Sequence, residues 1–262
     1  MTYPRTLIIL PCHSIWKQGG QTLGVDQNEW HLADFQLEGQ DHLVFRAQIL
    51  DSLKLLQQDE DSYLIISGGA TKKEAGPVSE ALSYFQLAQH FICDDTTLLD
   101  RINLEEFARD SFENVIFSLC RFYEIFGAYP ENITVVGFEF KRGRFVLHHL
   151  EQALCFPKEK VTYIGSSPIT DHLTEEARER YYQELESNEF KHALRYFQQD
   201  WYGINGSLKE KKKIRNPYNK YHGYANSNPN LADFLMAIND NSAAQPSENI
   251  RALIDKVPWI NN

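Results

Sequence analysis

The strongest constraint on this chain is an alternation of two kinds of segment. Over the first 165 residues, short apolar runs take turns with longer amphipathic stretches. Leu7–Leu10 reads as a first strand. His42–Leu56 then repeats apolar residues at 43, 45, 49, 50, 53 and 56, which is the stripe of a helix. Tyr63–Ser67 reads as a second strand, and Val78–Phe91 as a helix with Ala81, Leu82, Phe85 and Ala88 inward. Leu98–Leu99 is the candidate third strand. Asp110 and Glu113 predict a capping box ahead of Phe112, Val115, Ile116, Leu119 and Phe122. Ile133–Gly137 follows as a strand, Gly143–Leu154 as a helix and Val161–Ile164 as a strand. Such alternation implies an α/β fold, with a mainly parallel sheet and helices on both faces. Right-handed crossovers put every strand's carboxyl end on one side, where ligands bind.

The chain changes character after about Ser166. Thr174–Gln199 reads as a long charged helix with Tyr181, Leu185, Phe190 and Leu194 inward. A basic run follows from Lys209 to Arg215, then an aperiodic stretch over 216–229 read as an extended loop. Short helices are expected at Leu231–Ile238 and Ser247–Val257. The expected division is a sheet domain over 1–165 and a helical and loop extension over 166–262, packed on it. Inside the first unit, Ser14–Gln40 is a long loop carrying Trp16 and Trp30. It reads either as a lid or as an excursion pinned by its tryptophans.

Composition excludes several classes of function. A net charge of −10 argues against a broad nucleic-acid-binding surface. The four cysteines, Cys12, Cys93, Cys120 and Cys155, form no closely spaced pair. They read as reduced residues of a cytoplasmic protein, and no ligand spacing supports a metal site. The run Leu7–Leu10 is too short for a signal-peptide core or a membrane span, and no later segment approaches that apolar length. No membrane partner is expected.

The chemistry-bearing residues fall at strand ends. Ser67-Gly68-Gly69 follows the second strand, and Gly76-Pro77-Val78-Ser79-Glu80-Ala81 opens the next helix. Glycines let backbone N–H groups approach a ligand, and a helix start attracts an anion. An ordinary tight turn explains the same residues. His13 directly follows strand one, within expected reach of that turn, as an acid, a base or a phosphate partner. Cys12 reads as buried and inert. Glu80 suits a helix start. The block Glu105-to-Asn114 holds Arg109, Ser111 and Asn114, which capping does not explain. Lys141, Arg142 and Arg144 place three cations after the fourth strand, a candidate anion site.

Taken in order, these blocks resemble the domain of unknown function 218 family, which includes the YdcF-like and SanA-like proteins. The resemblance rests on Ser67-Gly68-Gly69, Ser79-Glu80-Ala81, the Glu105, Ser111, Glu113 and Asn114 block, and Arg144, across about residues 5–165. Lys141 stands where many bacterial members have His, and strand one ends in Pro-Cys-His. These departures point to a eukaryotic, fungal or plant-like, branch. The resemblance implies a Rossmann-like three-layer α/β/α sandwich and no settled reaction, so function must come from the site.

The expected function is that of a hydrolase or group transferase acting on a small anionic, phosphorylated or nucleotide-like molecule. His13, Glu80 and Glu105 are its candidate catalytic residues. Ser67, Gly68, Gly69, Ser79, Arg109, Ser111, Asn114, Lys141, Arg142 and Arg144 are its candidate ligand-binding residues. The alternative is a non-catalytic module for a nucleotide or S-adenosylmethionine. No G-x-G-x-x-G follows strand one, and strand two lacks a terminal acidic residue for a ribose, which argues against an NAD dehydrogenase. A third reading, an interaction protein, rests on the charged helix and the basic run.

Overall fold

The computed structural model describes residues 3–92, 96–239, 246–254 and 256–260, so Cys93 lies outside the described residues. Five strands form one all-parallel sheet: β1 Thr6–Pro11, β2 Ser62–Ser67, β3 Ile102–Glu105, β4 Asn132–Phe138 and β5 Val161–Ser166. Their order is β3-β2-β1-β4-β5. Successive side chains of β1 enter opposite cores, as a central strand requires. Ile8 and Leu10 pack with helices α1 (Asp41–Gln58) and α2 (Glu80–Gln89). Leu7 and Ile9 pack with α4 (Ser111–Phe126) and the helical segment Arg144–Ala153. The result is the three-layer α/β/α sandwich.

In the sheet domain two elements differ from the sequence reading. Thr96–Leu99 is a one-turn helix, α3, and the third strand is Ile102–Glu105. Ile-Asn-Leu-Glu is short and half polar, so it does not stand out as an apolar run. Its strand character comes from pairing with β2, where Ser67 faces Glu105. The segment after β4 winds as a π-helix over Arg144–Ala153. Apolar spacing alone does not separate that winding from an α-helix.

From β1 the chain steps to β2 and β3 on one side, then returns to β4 and β5 on the other. That reversal lies between β1 and β4, and open α/β sheets take ligands in the crevice at the carboxyl ends of the strands that flank such a point. The long loop before α1 does not hang over it freely. Trp16 and Trp30 are buried and bridge one another. The Trp16 N–H donates to Ser83 Oγ (3.1 Å), and Trp30 Nε1 donates to the Gly24 carbonyl (3.0 Å). Of the two readings of this loop, the pinned excursion describes what is observed.

The extension comprises α5 (Glu175–Glu189), a π-turn (Phe190–Leu194), α6 (Arg195–Phe197), α7 (Gly206–Ile214), α8 (Tyr224–Ser227), α9 (Ala232–Asn239) and α10 (Ser247–Arg251). Helix α8 falls within the stretch read as an extended loop. Phe197, Tyr202, Phe234 and Ile254 join the same core as α4 and β1. The extension therefore completes one face of the sheet. Among the described residues, no helix is long and apolar enough to cross a membrane.

Candidate functional site

The two flanks of the crevice meet through His13 and Lys141. His13 leaves β1 with its ring between Phe45 (5.6 Å) and Phe138 (5.3 Å). Its Nδ1 lies 3.4 Å from Lys141 Nζ. A charged lysine only donates, so Nδ1 accepts and Nε2 carries the hydrogen. Nε2 is sealed from solvent and has no hydrogen-bond partner. Burial, with Lys141, Arg144 and Arg215 nearby, pushes the imidazole well down and keeps it neutral. Lys141 lies over the rings of Phe138 (4.9 Å) and Phe140 (5.4 Å). Among the described residues it has no carboxylate within ion-pairing distance. Burial, then the Arg144 charge, push its amine down to about 7.

The glycine turn is built differently from the anion cradle that its sequence suggests. The Gly68 and Gly69 N–H groups donate to the Glu105 carbonyl (2.9 Å) and the Ala108 carbonyl (2.8 Å). The first N–H groups of α2, on Glu80 and Ala81, donate to the Gly69 carbonyl (3.0 Å) and the Gly68 carbonyl (3.1 Å). Ser79 Oγ accepts from the Leu82 N–H (2.9 Å) and donates to Glu106 (2.7 Å). The helix start is thus satisfied by its own turn. The glycines serve close packing instead. A Cβ on Gly68 would sit 2.8 Å from Cys12 Cβ and 2.9 Å from Glu80 Cβ, and one on Gly69 would sit 2.8 Å from the Ala108 carbonyl oxygen.

That packing sets Glu80 beside Gly68 and Cys12. Thr71 donates its hydroxyl to Glu80. Burial pushes the Glu80 carboxyl up, against that hydrogen bond and the Arg215, Lys72 and Lys141 charges. Cys12 is buried, and its thiol is pushed well up, first by burial and then by Glu80. A low-pKa nucleophile is the opposite case.

On the other side, the π-helix aims Arg144 and His149 at one hydroxyl. Residues five apart stack in a π-helix, whereas an α-helix would turn them about 140° apart. Ser111 Oγ lies 2.8 Å from His149 Nε2 and 3.4 Å from Arg144 Nη1. Arg144 is also held by Glu189, with Nε to Oε1 and Nη2 to Oε2 both at 2.9 Å. His149 is fully buried among Phe112, Phe145 and Phe197, and burial followed by Arg144 push its imidazole well down.

Several expected catalytic and ligand-binding residues are engaged elsewhere. Glu105 is fully buried and accepts from Ser67 Oγ (2.6 Å) and the Phe107 N–H (2.7 Å). Burial pushes its carboxyl up to about 7. Asn114 donates to the Ser67 carbonyl (2.8 Å) and Oγ (3.0 Å), closing a structural network under the turn. Arg109 is paired with Glu113 (2.6 Å), and Lys212 of α7 reaches Glu113 (3.1 Å) and Asp110 (3.3 Å). Burial would raise Glu113, but Lys212 and Arg109 outweigh it and hold the carboxyl down at about 2. Asp110 does cap the Glu113 N–H (2.9 Å), while the Glu113 carboxylate turns to Arg109 instead of completing the capping box. Arg142 points out of the crevice to Glu139 (2.6 Å).

Other crevice groups escaped the sequence reading. Asp41, at the start of α1, is buried, and burial pushes its carboxyl up to about 7 against the Lys141 charge. Arg215, just past α7, is exposed, and its charge acts on His13, Glu80 and Lys141. Its guanidinium donates to the Arg109 carbonyl (3.0 Å). The sequence shows Arg215 only as the end of a basic run. Tyr218 and Lys220 then tie the same segment to the Lys73 carbonyl (2.9 Å) and the Pro77 carbonyl (3.5 Å). Two cavities lie elsewhere, one of about 420 Å³ beside Leu53 and Phe91 and one of about 320 Å³ beside Phe107 and Tyr224. Among the described residues, no cluster of His, Cys, Asp and Glu could hold a metal ion.

The crevice therefore brings together a neutral imidazole, an amine able to titrate near neutrality, two buried carboxyls and the Arg144 and Arg215 guanidiniums. Such a set can bind an anion and move a proton. In comparisons with known proteins, no family model and no solved structure match the chain. It is 37% identical over 261 residues to Uncharacterized protein YOR238W of Saccharomyces cerevisiae, an alignment that covers 84% of this chain and 86% of the yeast protein.

Proposed function

The chain belongs to the family of the yeast protein YOR238W, and from its crevice we propose that it binds a small anionic, phosphorylated or nucleotide-like molecule and acts on it as a hydrolase or group transferase. One observation carries the reading. Lys141 and Arg215 have no carboxylate within ion-pairing distance among the described residues, and both act on His13 where the strand order reverses. Cations without a paired carboxylate, grouped at the carboxyl ends of strands, favour a bound anion.

The proposed division of labour follows from the contacts. Lys141, Arg144 and Arg215 supply positive charge. His13, held neutral, stands beside Lys141 and accepts its hydrogen bond. Asp41, pushed up by burial to about 7, is suited to take or give a proton near neutral pH, and burial pushes the Glu80 carboxyl up as well. Glu105, Arg109, Asn114 and Arg142 support the walls. With this reading goes membership of the domain of unknown function 218 proteins, which rests on the ordered motifs around Gly68, Glu80 and Arg144. A thermal-shift panel of nucleotides, sugar phosphates, pyrophosphate and S-adenosylmethionine tests it. Stabilisation that grows with the concentration of a phosphorylated compound supports the proposal, and no shift with any anion at millimolar concentration contradicts it.

A further inference from the structure

We propose that Lys141 is a carbonyl-reactive amine, forming a Schiff base with an aldehyde or ketone group on a phosphorylated ligand. This inference rests on the anion-binding reading above and goes further, because it names the ligand's second functional group.

The geometry is that of an activated lysine. Two features make a lysine nucleophilic at neutral pH: an apolar, desolvating wall and neighbouring positive charge. Lys141 has both. Phe138 and Phe140 form the wall at 4.9 and 5.4 Å from Nζ. Arg144 and Arg215 supply the charge, and together with burial they outweigh Glu189 and Asp41, which act in the opposite sense. A purely electrostatic phosphate ligand needs neither the aromatic wall nor an adjacent imidazole. With the amine titrating at about 7, about half is unprotonated at that pH. For an ordinary lysine near 10.4 the fraction is smaller by roughly a thousandfold.

The step balances with the aldehyde or ketone as the sole co-reactant. The Nζ lone pair attacks the carbonyl carbon, and the carbonyl oxygen becomes a hydroxyl. Both amine hydrogens leave with that oxygen as water, and a C=N bond remains. Nothing is oxidised or reduced. His13 Nδ1, 3.4 Å from Nζ, is placed to accept a hydrogen bond from the amine and so orient it. Arg215, exposed at the mouth, is placed for the ligand's phosphate.

The test uses the full-length protein and pyridoxal 5′-phosphate, a probe with both an aldehyde and a phosphate. The protein is incubated with the probe, reduced with borohydride, digested and mapped by mass spectrometry. The expected result at pH 7.5 is labelling of the Lys141 peptide at least tenfold faster than of the other lysine peptides. The rate should rise with a midpoint near pH 7, and pyrophosphate should slow it. Labelling at Lys141 no faster than at surface lysines overturns the proposal. If pyrophosphate raises the melting temperature but Lys141 is not preferentially labelled, the Schiff-base step fails and anion binding stands. If Lys141 is preferentially labelled without any anion effect, the reactive amine stands and the anion-binding reading fails. The variant K141R, confirmed folded by circular dichroism, should lose the fast-labelled peptide and leave slow labelling elsewhere unchanged.

Discussion

His13 Nδ1 and Lys141 Nζ lie 3.4 Å apart, joining the end of β1 to the end of β4 where the strand order turns back. Neither group is neutralised by a carboxylate at contact distance among the described residues. Burying Lys141 without such a partner costs stability, and that cost has a pH signature.

Replacing Lys141 by Met should stabilise the fold at pH 7 by about 1–3 kcal/mol, since an apolar side chain of similar volume replaces a poorly compensated charge. The Lys141 amine is pushed down from 10.5 to about 7. Between these values the unfolded chain binds more protons than the folded one, so this contribution to stability rises with pH across the window. The advantage of K141M over wild type should be full below pH 7 and should shrink towards pH 10. Melting temperatures of both proteins, measured from pH 6 to 10, check this. A constant difference across the range would show that Lys141 titrates normally.

Gly68→Ala should destabilise by about 1–3 kcal/mol through overpacking. The new methyl group would meet Cys12 Cβ at 2.8 Å and Glu80 Cβ at 2.9 Å. Urea unfolding measures the loss. A neutral substitution would mean that the turn has slack, and that close packing does not explain its glycines.

Lys212→Met should cost about 3–5 kcal/mol, because it leaves Asp110 and Glu113 buried with less compensation. Lys212 lies 3.1 Å from Glu113 and 3.3 Å from Asp110, and it donates to the Tyr202 carbonyl (2.7 Å). Glu113 is held down from 4.5 to about 2, so its stabilisation is present above pH 4.5 and is lost as pH falls towards 2. The variant should lose this stabilisation at a higher pH than wild type. Unfolding titrations at pH 7 and pH 4 test both parts.

Glu105→Ala should destabilise by about 2–4 kcal/mol, since it leaves the Ser67 hydroxyl and the Phe107 N–H without their acceptor. Anion affinity of the folded variant should remain within about twofold of wild type, because its contacts serve the turn. A large change in affinity at unchanged stability would return Glu105 to the binding machinery.

Most of the fold was legible because it is written in local pattern. Leu7–Leu10, Tyr63–Ser67 and Ile133–Gly137 are β-branched or apolar runs of strand length, and each lies within an observed strand. Ile102–Glu105 was hidden because its strand character comes from the neighbour it pairs with. The placement of candidate residues was legible where they follow a strand directly, as with His13 and Lys141. Neighbouring residues were not separable: Lys141 turns into the crevice, while Arg142 turns out to Glu139. Arg215 and Glu189 belong to the extension, and only tertiary packing brings them to β4 and the π-helix. The glycine turn was read with the right location and the wrong hydrogen-bond accounting, because a sequence does not show which N–H groups are already spent.

Whether Lys141 and Arg215 bind an anion is decided by calorimetric titration of pyrophosphate into wild type and the double variant K141M/R215Q. Saturable binding to wild type and at least tenfold weaker binding to the folded double variant are expected. Equal affinity of the two proteins, or no binding to wild type, would contradict anion binding by these residues.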